Sequence, residues 1–131
     1  MSTENSSKIK ILLADDDSSM RRFLEITLQR SDYDVVSAED GLAAMKIALT
    51  ETFDVVLADA MMPNMTGHDL CRMLRQNPNY KETLLIILSG LEQNTSSIVE
   101  QECADLYMVK SSNLKEELKE ILARYVTDKS K

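Results

Sequence analysis

Positive charge, glycine, proline and cysteine are all scarce in this sequence. Its 131 residues carry 15 Lys and Arg against 22 Asp and Glu, a formal net charge of -7. A chain with that balance lacks the clustered cations that drive binding to a phosphate backbone, so no direct contact with nucleic acid is expected. With 3 Gly and 2 Pro it has neither a collagen-like period nor a low-complexity linker. The 2 cysteines, Cys71 and Cys103, fall in helix-patterned segments and in no ligand spacing, and His68 stands alone. Buried thiols are therefore expected rather than a disulfide framework or a zinc site. No apolar run approaches the length of a membrane-spanning helix, and the opening MSTENSSK has no hydrophobic signal core, which predicts a cytoplasmic chain without a membrane partner.

What is present is ordinary globular material. Hydrophobic residues make up 44% and charged residues 28%, enough for one domain that closes its own core without staples. The organised part is expected over residues 8–126, between a flexible N-terminal tail, 1–7, and a C-terminal tail, 127–131.

Short apolar runs alternate with segments of helical period. Ile9 to Ala14, Val35 to Ala38, Val55 to Ala58, Leu84 to Leu88 and Leu106 to Val109 read as strands buried on both faces. Met20, Phe23, Leu24, Thr27 and Leu28 recur at helical spacing, as do Leu42, Met45 and Leu49 with Ala43, Ala44 and Ala48, marking the first two helices. Leu70, Cys71, Met73 and Leu74 mark a third, which Asn77-Pro78 ends. The stretch from Glu92 to Cys103 is polar apart from Ile98 and Val99 and predicts a weak, mobile fourth helix. A fifth begins at Asn113, with Glu116 in capping-box position and Leu114, Leu118, Ile121, Leu122 and Tyr125 as its buried stripe. Five strand-then-helix units predict an α/β fold, a doubly wound five-stranded parallel sheet with helices on both faces.

In such sheets the chemistry gathers where the strands end. The first strand runs into Asp15, Asp16 and Asp17, the third into Asp59, the fourth into Ser89 and the fifth into Lys110. Grouped carboxylates repel one another and take up protons unless a cation neutralises them, so acids at one sheet edge point to a metal. An all-oxygen site suits Mg2+, which keeps several waters and takes one or two carboxylates together with phosphate oxygens. An aspartate can attack phosphorus to form an acyl phosphate, and Asp59 is the candidate nucleophile. Lys110 and Ser89 would bind the oxygens of the transferring group, and a new phosphate acceptor would draw Ser89 inward.

Each residue also has a plainer role. Asp15 and Asp16 can cap the first helix, Asp59 can open the turn before Met62-Pro63, and Ser89 can cap a helix. Lys110 can be a solvated charge and Tyr107 a core aromatic. Their coincidence at one edge of one sheet weighs against all of these together.

The segments LLADDDSSMRRFL, DVVLADAMMPNMTG, LIILSG and LYMVK, in this order and on these strand ends, resemble the four motifs of the response-regulator receiver family, from about Lys8 to Tyr125. The resemblance implies a flavodoxin-like strand order 2-1-3-4-5 and a stand-alone, chemotaxis-regulator-like receiver. It implies Asp59 as the phosphorylated residue, with Lys110 and Ser89 assisting. Mg2+, or alternatively Mn2+, would be held by Asp15, Asp16, Asp59 and the backbone carbonyl of Met61, and Ser89 and Tyr107 would act as switch residues. The run of three aspartates is read with Asp15 and Asp16 directly after the strand and Asp17 opening the helix. The implied partners are a sensor histidine kinase or phosphotransfer protein and a downstream protein target reached through the fourth helix, fifth strand and fifth helix. A phosphorylation-dependent homodimer is compatible with the family. With no effector domain after Tyr125, output is expected to run through protein contacts or a phosphate relay.

The chain departs from the family pattern at two places. Ser111 stands where proline usually follows the lysine, so a cis peptide there loses its usual support. Cys103 stands where glycine often precedes the last strand, which predicts a less tight turn. Met61 and Leu91 would flank a phosphoryl group on Asp59, and neither side chain can orient water, so slow self-dephosphorylation is expected. A true enzyme is disfavoured, since a phosphatase would want a second acid where Met61 lies and a flavin carrier would want a phosphate loop after the first strand. The domain would assist only its own phosphorylation and dephosphorylation. A pseudo-receiver that binds partners without phosphorylation is the alternative that Ser111 keeps open.

Overall fold

A computed structural model describes residues 8–90 and 103–130, with the side chains of 128–130 left aside. The strands are β1 (Lys10–Ala14), β2 (Asp34–Ala38), β3 (Val55–Asp59), β4 (Leu84–Ser89) and β5 (Leu106–Val109). They form one parallel sheet in the order β2-β1-β3-β4-β5, as the strand-helix alternation and the motif order predict. The helices are α1 (Ser18–Arg30), α2 (Gly41–Thr50), α3 (Gly67–Arg75) and α4 (Leu114–Ser130). The last is the fifth helix of the sequence reading, because the one expected between Glu92 and Cys103 lies outside the described residues, as do Leu91 and the N-terminal tail 1–7.

Side chains of successive strand residues point to opposite faces, so a strand buried on both faces divides its apolar residues between two cores. Leu12, Ala14, Val56, Ala58, Leu85 and Ile87 pack on one face against Ala44 and Ala48 of α2 and Leu70, Cys71 and Leu74 of α3. Ile11, Leu13, Val55, Leu57, Ile86 and Leu88 pack on the other against Leu24 and Leu28 of α1 and Leu114, Leu118 and Leu122 of α4. Tyr80 closes the first core from a 3-10 turn, its hydroxyl donating toward the carbonyls of Ala48 (2.8 Å) and Glu51 (2.9 Å).

Three particulars differ from the sequence pattern. In α2 the alanines, not the leucines, face the sheet: Leu42 and Leu49 are exposed while Ala44 and Ala48 are buried. At the start of the same helix, Gly41 lies against the loop before α3, where a Cβ would overlap the backbone and Cβ of Met65. In α1, Phe23 and Ile26 are likewise exposed, beside the buried Leu24, Thr27 and Leu28. The tail expected over 127–131 is corrected by α4, which continues to Ser130. No glycine or proline follows Tyr125 to stop it, and the Thr127 hydroxyl bonds back to the Ala123 carbonyl at 3.0 Å. No cis peptide occurs among the described residues, and the bond between Lys110 and Ser111 is trans.

Candidate functional site

The register of the sheet brings the chemistry-bearing residues to one edge. Ala14 pairs with Ala58 across β1 and β3, so Asp15 and Asp59 lie side by side just beyond. Asp59 pairs with Leu88, the residue before Ser89, and Ser89 pairs with Val109, the residue before Lys110. Because β4 lies between β3 and β5, a group leaving the end of β5 must cross one strand to meet Asp59. The long lysine stem does so: the Lys110 Nζ is 3.1 Å from Asp59 Oδ2 and 3.1 Å from Asp15 Oδ2. Asp15 is fully buried, and the side chains of Asp59 and Lys110 are 9% and 15% exposed, so this ammonium bridge is well shielded from water.

The backbone fixes each carboxylate. The Asp15 N–H donates to Ala38 O (3.2 Å), its carbonyl accepts from Arg21 Nη1 (2.7 Å), and its Oδ1 accepts from the Asp17 N–H (2.9 Å). Asp17 in turn caps α1, its Oδ1 accepting from the N–H groups of Ser19 (2.9 Å) and Met20 (3.3 Å), the usual means of satisfying the first turn. The three consecutive aspartates thus divide their work: Asp15 points into the cluster, Asp16 is exposed at its mouth and Asp17 starts the helix. After Asp59, the Met61 N–H donates to its Oδ1 at 3.3 Å, while the Met61 side chain is 75% exposed. Asn64 makes the following turn at φ 74°, a left-handed conformation that Asn tolerates. The chain then enters α3 behind Asp59, and Gly67 is needed there because a Cβ would overlap the Asp59 carbonyl. Gly67 and Arg21 lie within the sequence motifs but were given no role there; each acts on backbone atoms that only the folded chain brings near.

Electrostatics at the edge are strained toward a cation. Burial raises the pKa of Asp59, and the charge of Asp15 adds to this, outweighing the Lys110 ammonium and the Met61 N–H. Burial works against the charge of Lys110, but its hydrogen bond to Asp59 and the pull of both carboxylates leave its pKa above the ordinary lysine value. One oxygen each from Asp15, Asp16 and Asp59 lie within 4.8 Å of one another. Lys110 pairs with two of these three carboxylates, and Asp15 Oδ2 is buried with no hydrogen-bond donor of good geometry besides that ion pair. This all-oxygen, net-negative donor set fits a hard divalent cation.

Of the remaining expected residues, Ser89 ends β4 beside Asp59, and its carbonyl accepts from the Lys110 N–H at 2.8 Å. Tyr107 lies further back in β5, its ring against that of His68 with centroids 6.2 Å apart. Its hydroxyl is buried without a hydrogen-bond partner of good geometry among the described residues. Tyr107 is thus separate from the acidic cluster, whereas Asp15, Asp16, Asp59 and Lys110 meet directly.

Known proteins are similar to this chain in sequence and in fold. The family model of the response regulator receiver domain matches residues 11–123. Response regulator ArlR of Staphylococcus saprophyticus is 35% identical over 87% of this chain and 51% of its own length. The alkaline phosphatase synthesis transcriptional regulatory protein PhoP of Bacillus subtilis is 37% identical over 77% of this chain and 42% of its own. The chain therefore spans about half the length of the curated relatives it matches. Among solved structures, the chemotaxis response regulator CheY4 of Vibrio cholerae superposes with a TM-score of 0.81 at 32% identity, covering 89% of this chain and 98% of that one. Response regulator TrrA of Thermotoga maritima, solved in complex with Mg2+-BeF, gives 0.79 at 31% identity, covering 88% and 97%. The sheet order, the acidic edge bridged by lysine and these matches lead to one conclusion: the chain belongs to the response regulator receiver domain family of two-component systems.

Proposed function

We propose that Asp59 accepts a phosphoryl group from a phosphohistidine on a sensor histidine kinase or phosphotransfer protein. The observation that carries this reading is the Lys110 ammonium held 3.1 Å from both Asp59 and Asp15 at the carboxyl edge of the sheet. It leaves a carboxylate oxygen beside a preorganised positive charge, which is what phosphoryl transfer requires of a protein. An Asp59 oxygen forms the new bond to phosphorus as the phosphorus–nitrogen bond of the donor breaks, and the electron pair leaves with the imidazole nitrogen. The Met61 N–H keeps the Asp59 carboxylate in place, and Lys110 turns from Asp59 toward an incoming phosphoryl oxygen. Ser89, at the end of the neighbouring strand, offers its hydroxyl to a second one.

The residues that would hold Mg2+, or Mn2+ in its stead, are Asp15, Asp16, Asp59 and the Met61 carbonyl. When bound, the ion supplies charge neutralisation for the transferring group. Pulling Ser89 toward the phosphoryl group would alter the space in front of Tyr107, and the surface formed by β5 and α4 would then change its affinity for a downstream protein. Among the described residues no helix is long and apolar enough to cross a membrane.

Intact-mass measurement after incubation with Mg2+ and acetyl phosphate tests the reading. A gain of about 80 Da on the wild type, absent from Asp59→Ala and from protein held in EDTA, is expected. Absence of transfer to a folded protein shown separately to bind Mg2+ would overturn it.

A further inference from the structure

The two cysteines, unremarkable in the sequence, come together in the fold. Cys71 lies on the inner face of α3 and Cys103 just before β5, both buried in the core that α2 and α3 cover and both free thiols. The Cys103 Sγ sits 3.7 Å from the carbonyl of His68, one helical turn before Cys71 on the same helix. That carbonyl belongs to the turn of α3 that carries Cys71, so the fold brings the two thiols to the same part of one core. Around them lie the Arg72 side chain and the Tyr107 hydroxyl, and the buried His68 Nε2 has no hydrogen-bond partner among the described residues.

We infer that Cys71 and Cys103 form a redox-sensitive dithiol, oxidised by a small hydroperoxide to an intramolecular disulfide that ties α3 to the start of β5. The pair is asymmetric in the way such a reaction needs. The hydrogen bond from Cys71 favours the Cys103 thiolate, with the Arg72 charge in support. The same hydrogen bond, together with burial, keeps Cys71 protonated. Since the thiolate is the nucleophile, Cys103 reacts first and Cys71 resolves.

The Cys103 thiolate attacks the terminal hydroperoxide oxygen; the S–O bond forms, the O–O bond breaks, and the other oxygen leaves as alkoxide, or as hydroxide from hydrogen peroxide, and takes up the proton that Cys103 released on ionising. The Cys71 sulfur then attacks the Cys103 sulfur. An S–S bond forms, the S–O bond breaks, and hydroxide leaves with the Cys71 proton as water. Two thiols lose two electrons and two protons, and the hydroperoxide is reduced by the same two electrons. A hydroperoxide is the oxidant of choice because Cys71 is fully buried and Cys103 is 8% exposed, which bars bulky disulfides. The product removes a thiol from beside Tyr107, so oxidation would reach the residue expected to act as the aromatic switch.

The test is to expose the folded protein to hydrogen peroxide at low protein concentration, remove the oxidant, unfold, alkylate and weigh. Expected are a loss of about 2 Da, the loss of both alkylation sites together, and a Cys71–Cys103 linked peptide on digestion that dithiothreitol abolishes. Cys71→Ala should stop at a Cys103 sulfenic acid trapped by dimedone. Both thiols still alkylating in full would overturn the inference, as would oxidation of Cys103 to the sulfinic acid without a linked peptide. Linkage between two chains, or linkage only in urea, would overturn it equally. The linked peptide is read on the wild type, so a variant that fails to fold does not decide the matter.

Discussion

Replacing Lys110 by methionine keeps most of the stem that crosses β4 and removes only the ammonium. The charge it removes contacts two carboxylates at 3.1 Å, one fully buried and one 9% exposed. Deleting one partner of a buried ion pair costs about 3–5 kcal/mol. The loss has a ceiling here, because Asp59 can take up a proton instead of staying charged, and protonating a carboxyl of ordinary pKa at pH 7 costs about 4 kcal/mol. A loss of about 3 kcal/mol in EDTA is therefore expected for Lys110→Met, measured by urea unfolding at an unchanged m-value. Mg2+ should restore more stability to this variant than to the wild type, since a cation among Asp15, Asp16 and Asp59 replaces the missing charge. In an Asp59→Asn background the same substitution should cost clearly less, for one of the two carboxylates has gone. A loss below about 1 kcal/mol in EDTA, or an equal cost in both backgrounds, would refute the bridge as the element that holds this edge together.

Asp59→Asn alone should change the pH dependence of metal-free stability. Burial raises the folded-state pKa of Asp59 above 3.8, so its contribution is fully present below that value and is lost as pH rises through the folded pKa. Urea titrations should show the variant gaining on the wild type above this window and matching it below. Tyr80→Phe leaves the carbonyls of Ala48 and Glu51 without their shared donor and should cost about 1.5 kcal/mol at pH 7. Burial, with the Glu51 charge, pushes the Tyr80 pKa up to about 12 from 10.0, so the wild type should lose its advantage over the variant as pH rises between those values. Gly67→Ala drives a Cβ into the Asp59 carbonyl and should cost about 1–3 kcal/mol, with slower acetyl phosphate labelling because Asp59 itself must shift.

The parallel fold was legible because strands buried on both faces read as unbroken apolar runs, such as Leu84 to Leu88, and helices as periodic ones. The functional edge was legible because the end of a strand fixes where the next residue lies, so Asp15, Asp59, Ser89 and Lys110 could be grouped without coordinates. The face of α2 was not, since Leu42 and Ala44 are both apolar and only the packing of the folded chain decides which turns inward. Nor was the end of α4, where no breaker follows Tyr125 and the helix runs on to Ser130.

By itself the sequence determined the strand-helix order and the acidic and basic residues at the strand ends, because these follow from local period and from the direction of a parallel sheet. Tertiary structure alone decided that Lys110 spans β4 to join Asp15 and Asp59, that Gly67 must lack a side chain, and that Cys103 comes against the turn of α3 that carries Cys71. Those are contacts between segments distant in the chain, and their geometry is set by packing rather than by any pattern along it.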